Sequence, residues 1–171
     1  AYLDDADAAE ATYGGPIGEW DVSCVTDMQE MFNQANEFNA AIDAWDVSSV
    51  TDMAYMFAYA YAFNGAIDAW DVSTVTTMES MFGSAYAFNA AIDAWDVSSV
   101  TDMNYMFYDA NAVNAAIGGW DVSSVTTMSE MFYGADDFDQ NLGWCVGTSV
   151  NTDFAFDGSA CAATSCGVTQ G

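Results

Sequence analysis

Large apolar residues return along the chain at a fixed interval. Trp20, Trp45, Trp70, Trp95 and Trp120 stand 25 residues apart, and each opens Trp-Asp-Val-Ser. The same step carries Met28, Met53, Met78, Met103 and Met128, and also Met31, Met56, Met81, Met106 and Met131, each of the latter followed by Phe. Two further columns run through Phe38, Phe63, Phe88, Val113 and Phe138 and through Ile42, Ile67, Ile92, Ile117 and Leu142. Eight large apolar positions therefore recur per unit. A unit this short cannot bury its own apolar face, whereas units stacked on one another make one continuous core, so the pattern predicts a solenoid.

Within a unit the pattern divides in two. Met53, Met56, Phe57 and Ala60 fall at i, i+3, i+4 and i+7, which predicts one face of a short helix. Thr51 is then its N-cap, and Thr76 with Glu79 has the form of a capping box. The other half, FNAAIDAWDVSSV, predicts a strand of about three to five residues around Ile42 and its equivalents, pairing in parallel with the next coil at about 4.8 Å. The expected fold class is an α/β solenoid with one short parallel strand and one short helix per 25-residue coil. Residues 1–19 lie outside the register and are expected as an N-terminal cap, in which ADAAEATYG forms a short acidic helix. Residues 20–144 hold about five coils. Over 145–171 the pattern decays, with Trp144 one residue early and Asp153 where Met is due, and this segment is expected to be a C-terminal cap.

Charge narrows the chemistry sharply. There are 26 acidic residues and no Lys, Arg or His. A chain without a cationic side chain cannot neutralise phosphates, which excludes nucleic acid and anionic membranes as direct partners. Ser-His triads, Lys Schiff bases and Arg or Lys phosphate clamps are excluded with them. A carboxylate pair could cut glycosides, but nothing marks any two carboxylates as special, so no enzyme is expected. With 53% hydrophobic residues the chain has ample material for a core, and its longest apolar runs are far short of the roughly 20 residues that cross a bilayer as a helix.

The polar columns supply the candidate sites. Asn39, Asn64, Asn89 and Asn114, ending in Asp139, are expected as an inward structural ladder bonding the backbone of adjacent coils. Asp21, Asp46, Asp71, Asp96 and Asp121 form a second ladder, with Asp43, Asp68 and Asp93 as a third. Stacked carboxylates about 5 Å apart repel by roughly 0.8 kcal/mol per pair in water. Either turn N–H groups absorb that charge or bound Ca2+ does, which makes Asp43, Asp46, Asp68, Asp71, Asp93, Asp96 and Asp121 the metal candidates; no cofactor is otherwise required. Cys145, Cys161 and Cys166 cluster near the end and are expected to supply one disulfide, while Cys24 is too far from them and is the candidate for an intermolecular disulfide. Tyr55, Tyr59, Tyr61, Tyr86, Tyr105, Tyr108 and Tyr133 lie off the Met/Phe stripe and are candidates for exposed contact residues.

The string FNAAIDAWDVSSVTDMAYMF resembles the repeat of the bacterial surface protein 26-residue repeat family, also called BspA-like, which is related to leucine-rich repeats and found on microbial and algal cell surfaces. The likeness spans nearly the whole chain, although the unit here is 25 residues long. It implies a secreted, leucine-rich-repeat-like solenoid and brings no catalytic residues with it. The absence of an initiator Met at Ala1 fits a mature or trimmed form. Two uses follow as expectations. The first is a self-associating building block of an extracellular filament, coat or matrix; the second is a cell-surface adhesin or receptor-like module that binds protein or glycan on one face.

Overall fold

The computed structural model describes residues 15–171, so the acidic helix expected over ADAAEATYG lies outside the described residues. Each unit makes one coil, and the coils stack in parallel. Single parallel bridges join Asp27 to Asp52, Asp52 to Thr77, Thr77 to Asp102, Asp102 to Thr127 and Thr127 to Asn151, which links six successive coils. From the second coil on, the apolar columns turn inward. Phe57, Phe63, Phe82, Phe88, Phe107, Phe132 and Phe138 are completely buried, as are Met53, Met56, Met78, Met81, Met103 and Met106.

The expected helix and strand of each coil do not form, and the α/β solenoid is corrected accordingly. Among the described residues the regular elements are two 3-10 helices, Ile17–Glu19 and Ala162–Gly167, and two strands of two residues each, β1 (Cys145–Val146) and β2 (Thr169–Gln170). Where the helix was expected, residues 28–35 and their equivalents run as overlapping turns. Met31, Asn33 and Ala35 donate back three residues, to the carbonyls of Met28, Glu30 and Phe32. The intervening N–H groups point along the stack instead: Met28, Glu30, Phe32 and Gln34 donate to Asp52, Ala54, Met56 and Ala58 of the next coil at 2.7–3.0 Å. Turns closed three residues back place apolar side chains on one face at nearly the helical period, which is why a helix-like pattern is satisfied without a helix.

Left-handed residues make this division possible. Glu30, Tyr55, Ser80, Tyr105, Glu130 and Phe154 occupy one column, and all have φ between 51° and 57°. Gln34, Tyr59, Ser84 and Asp109 occupy a second with φ between 52° and 61°, continued by Gly134 and Gly158 at 67° and 81°. A left-handed non-glycine residue costs about 1–2 kcal/mol. Each such residue in coils one to five donates its own N–H to the following coil, so one inter-coil bond, worth about 0.5–1.5 kcal/mol net, offsets the strain locally.

The Trp-Asp-Val corner is held by side chains. The indole Nε1 of Trp45, Trp70, Trp95 and Trp120 donates to the carbonyl of Ile17, Ile42, Ile67 and Ile92 respectively, in the coil before, at 2.9–3.1 Å. Successive indoles stack nearly parallel, with centroids 6.5 Å apart for Trp45 and Trp70, Trp95 and Trp120, and Trp120 and Trp144. Thr51, expected as an N-cap, instead turns its Oγ1 to the Thr26 carbonyl that its own N–H also reaches, and Thr76, Thr101 and Thr126 repeat the contact one coil on. Glu79 is not part of a capping box; its carboxylate accepts the hydroxyl of Tyr55.

Residues 145–171 carry the ladder one coil further, since Met128, Glu130, Phe132 and Gly134 donate to Asn151, Asp153, Ala155 and Asp157. The segment then closes on itself. β2 pairs in parallel with β1, and Cys161 is bonded to Cys166 with Cα atoms 4.9 Å apart. Trp144, arriving one residue early after the left-handed Gly143, finds no acceptor for its buried Nε1 among the described residues.

Removing one indole bond from the middle of the stack tests its contribution. Trp95→Phe keeps an aromatic ring in the column and removes the indole bond to the Ile67 carbonyl, which still accepts the Trp70 N–H, so denaturant titration is expected to show a loss of about 1 kcal/mol. An unchanged midpoint would mean the indole ladder is packing alone.

Candidate functional site

The polar columns fall on the outside of the stack and differ in how their charge is met. Asp46 accepts the N–H of Ser48 at 3.1 Å and its hydroxyl at 2.6 Å, both on Oδ1. Asp21, Asp71 and Asp96 do the same with Ser23, Ser73 and Ser98, and Asp121 accepts the N–H of Ser123. The Ser hydroxyl, and then the Ser N–H, hold the carboxyls of Asp21, Asp46, Asp96 and Asp121 below the usual range. The turn donors thus meet the charge of this ladder within each coil.

Asp43, Asp68 and Asp93 are exposed, one per coil. Among the described residues no three acidic, Cys or His side chains converge as a ligand group. A Ca2+ ion takes six to eight oxygens, and the candidate residues Asp43, Asp46, Asp68, Asp71, Asp93, Asp96 and Asp121 stand in columns, one residue of each per coil. What they offer a cation is a diffuse field.

The Asn column also lies outside, not inward as expected. Asn39, Asn64, Asn89 and Asn114 are exposed, and each lends its Oδ1 to the N–H of the residue one coil on, from Asn39 to Asn64 at 3.0 Å through to Asn114 and Asp139 at 3.1 Å. The ladder bonds adjacent coils from the solvent side.

Of the cysteines, Cys161 and Cys166 form the disulfide, and Cys24 and Cys145 are free and exposed. They sit in the first and sixth coils, about five steps of roughly 4.8 Å apart. A shallow hollow of about 180 Å3 opens at the C-terminal end, lined by Thr152, Phe156, Ser165, Val168 and Gln170. Its lining carries no acid or thiol, and it has the chemistry of a contact surface rather than of a catalytic cleft.

Tyrosines and acids share the outer side of the turn segment. Tyr59, Tyr61, Tyr86 and Tyr133 are 38–47% exposed, far more than any residue of the Met/Phe columns between them. The hydroxyl of Tyr55 donates to Glu79 Oε1 at 2.5 Å, and that bond, with burial next, pushes its pKa up to about 12. The charge of Glu130 raises Tyr105, and burial followed by the charge of Asp109 raises Tyr108. Asp109 itself is raised, by burial first and by Asp136 second. Sequence spacing marked the tyrosines as off the core stripe but did not reveal that acids stand beside them.

Asp109 gives a pH test with a definite sign. A carboxyl whose folded pKa lies above its unfolded value weakens the fold while ionised, and that penalty fades as pH falls through the folded pKa and is gone below the unfolded one. Asp109→Asn tolerates the left-handed φ of 52° at this position. It is expected to raise the melting temperature at neutral pH and to leave it unchanged near pH 3, below the ordinary Asp value of about 3.9. An equal gain at both pH values would assign the effect to packing.

No curated protein and no solved structure matched the chain. A family model does match, over residues 6–95 and again over residues 63–166. The two matched segments overlap, as expected when one pattern meets a chain of tandem units. Together they span most of its length, and the chain belongs to the family described as "Mycoplasma protein of unknown function, DUF285".

Proposed function

We propose that this protein is a non-catalytic building block of an extracellular assembly, working by self-association of its coil stack. One observation carries the reading: among the described residues, the ladder that joins coil to coil leaves one row of groups unpaired on the first coil and one on the sixth, and the two rows are complementary. The carbonyls of Asp27, Gln29, Met31 and Asn33 on the first coil accept no hydrogen bond among the described residues. The N–H groups of Thr152, Phe154, Phe156 and Gly158 on the sixth coil donate none. These are the acceptors and donors that every interior coil satisfies through its neighbour.

Exposure supports the same reading. Met31 is 38% exposed, whereas Met56, Met81, Met106 and Met131 in the same column are fully buried under a preceding coil. Contact is confined to the turn row, because Thr169 and Gly171 already donate to Trp144 and Val146 and cover that corner. Cys24 and Cys145, free thiols on opposite terminal coils, offer a covalent reinforcement of a head-to-tail contact. Such a contact is heterologous and repeats without closing. The BspA-like resemblance supports a secreted, cell-surface setting, and the Cys161–Cys166 disulfide suits an oxidising one.

With a net charge of −26 per chain, association must work against repulsion that salt screens, over about 10 Å at 0.1 M and about 3 Å at 1 M ionic strength. Sedimentation velocity under reducing conditions is expected to show oligomers that grow with protein concentration and are favoured by salt. In a Cys24→Ser/Cys145→Ser background, Asp27→Cys with Asn151→Cys places thiols at the bridge positions of the two ends, and mild oxidation is expected to give a series of covalent multimers. A monomer under all these conditions would exclude the reading.

A further inference from the structure

The Tyr and acid side chains lie on the side of the stack, and although the backbone of several of them belongs to the ladder, the side chains themselves take part in neither the ladder nor the thiol pairing. Their rings form two stacked groups. Tyr61 stacks on Tyr86 with centroids 4.7 Å apart and planes 8° apart, Tyr108 stacks on Tyr133 at 5.3 Å and 8°, and Tyr105 meets Tyr108 edge-on at 5.9 Å. Rings stacked along the coil axis hold one another in place, so little side-chain freedom is left to lose on binding. Four adjacent coils contribute, over buried Met and Phe columns.

Acids are set among the rings. Glu79 lies against Tyr55, Glu130 against Tyr105, and Asp109 between Tyr108 and Asp136. Unlike the Asp-Ser turns of the other flank, Asp109 has no hydrogen-bond donor to its carboxylate among the described residues, although it is partly buried. A half-buried carboxylate without a donor or counter-charge is stabilised by a cation brought to it from outside.

Three occupants can be set against this surface. A second copy brings no Lys, Arg or His, and pairing the face with itself would bury carboxylate against carboxylate. A sugar platform needs open ring faces, but here the faces of Tyr61 and Tyr86, and of Tyr108 and Tyr133, are turned to each other. A basic protein segment meets every group on offer. Its ammonium or guanidinium groups pair with Glu79, Asp109 and Glu130, its donors reach phenol oxygens, and its aliphatic stems lie along the ring edges.

We infer that the tyrosine and acid face of coils two to five is a docking surface for a Lys- and Arg-rich segment of a partner protein. This inference is independent of self-association, because the ends of the stack take no part in it. Charge complementarity decides the occupant, and the rings give the contact its position.

The test compares two variants of equal net charge by calorimetric titration with a short Arg- and Lys-rich peptide, after thermal melts show that both fold. Glu79→Gln/Asp109→Asn/Glu130→Gln removes three charges from the face, and Asp46→Asn/Asp71→Asn/Asp96→Asn removes three from the Asp-Ser flank. The face variant is expected to bind roughly tenfold more weakly or worse, and the flank variant to stay close to the unaltered protein. Tyr61→Ser/Tyr86→Ser, with all charges kept, is expected to weaken binding as well. Equal losses in the two charge variants would reduce the binding to nonspecific attraction and overturn the inference. So would an undiminished affinity in the Tyr variant, or binding of neutral oligosaccharides that the Tyr variant abolishes. None of these outcomes bears on sedimentation of the protein alone, so the two proposals fail separately.

Discussion

In the turn segment, alternate N–H groups serve different masters: one closes a turn three residues back, and the next reaches the following coil. Met31 and Asn33 bond within their coil while Phe32 and Gln34 bond across to Met56 and Ala58. A helix would send every N–H back along its own axis and leave neighbouring coils to touch only through side chains. A flat strand would send N–H groups alternately to two neighbours and could not turn the chain within so few residues. The alternation of bonds therefore sets the coil spacing, and the coil spacing brings the Phe, Met and Trp columns into stacking contact. Phe57 and Phe82, with centroids 5.7 Å apart and planes 4° apart, are stacked because their backbones are one ladder step apart.

The same alternation depends on left-handed residues, and most of them look outward, although Ser80 and Ser84 of the third coil are buried. Tyr55 and Tyr59, or Tyr105 and Asp109, occupy the two left-handed columns and also the exposed face. Backbone strain and surface chemistry are thus carried by the same positions. Gly134 and Gly158 relax the strain in the later coils but present nothing to a partner.

The sequence made the coil length and the inward columns legible, because burial follows period and the 25-residue period is unbroken from Trp20 to Trp120. It did not make the local backbone legible. Met53, Met56, Phe57 and Ala60 are all buried as a helical face would be, yet the chain there is a run of turns, since period reports which side chains point inward and not which N–H bonds which carbonyl. Glycine at the left-handed columns would have signalled them, but four of the five repeat units place Glu, Tyr, Ser, Gln or Asp there, and only Gly134 gives the hint. Thr51 and Asn64 were recognisable as ordered columns; their bonds to Thr26 and Asn39 one coil away needed the stack itself. The pairing of Cys161 with Cys166, leaving Cys145 outside, was equally beyond spacing alone.

Electrostatics joins the fold to the choice of partner. The core takes no charge at all, so every described carboxylate must be met by water, by its own backbone, or by something the protein does not contain. The Asp-Ser turns meet theirs internally: Asp46 and Asp96 have N–H and hydroxyl donors two residues away, and that flank asks little of a partner. Glu79, Asp109 and Glu130 stand among phenol rings whose pKa values are raised still further above the ordinary phenol value, by the Glu79 hydrogen bond at Tyr55, by the charge of Glu130 at Tyr105 and by burial at Tyr108, so the hydroxyls are donors. The two flanks of one stack therefore differ in kind although both are acidic. The Asp-Ser carboxylates are met within each coil, whereas Asp109, partly buried, accepts no hydrogen bond among the described residues.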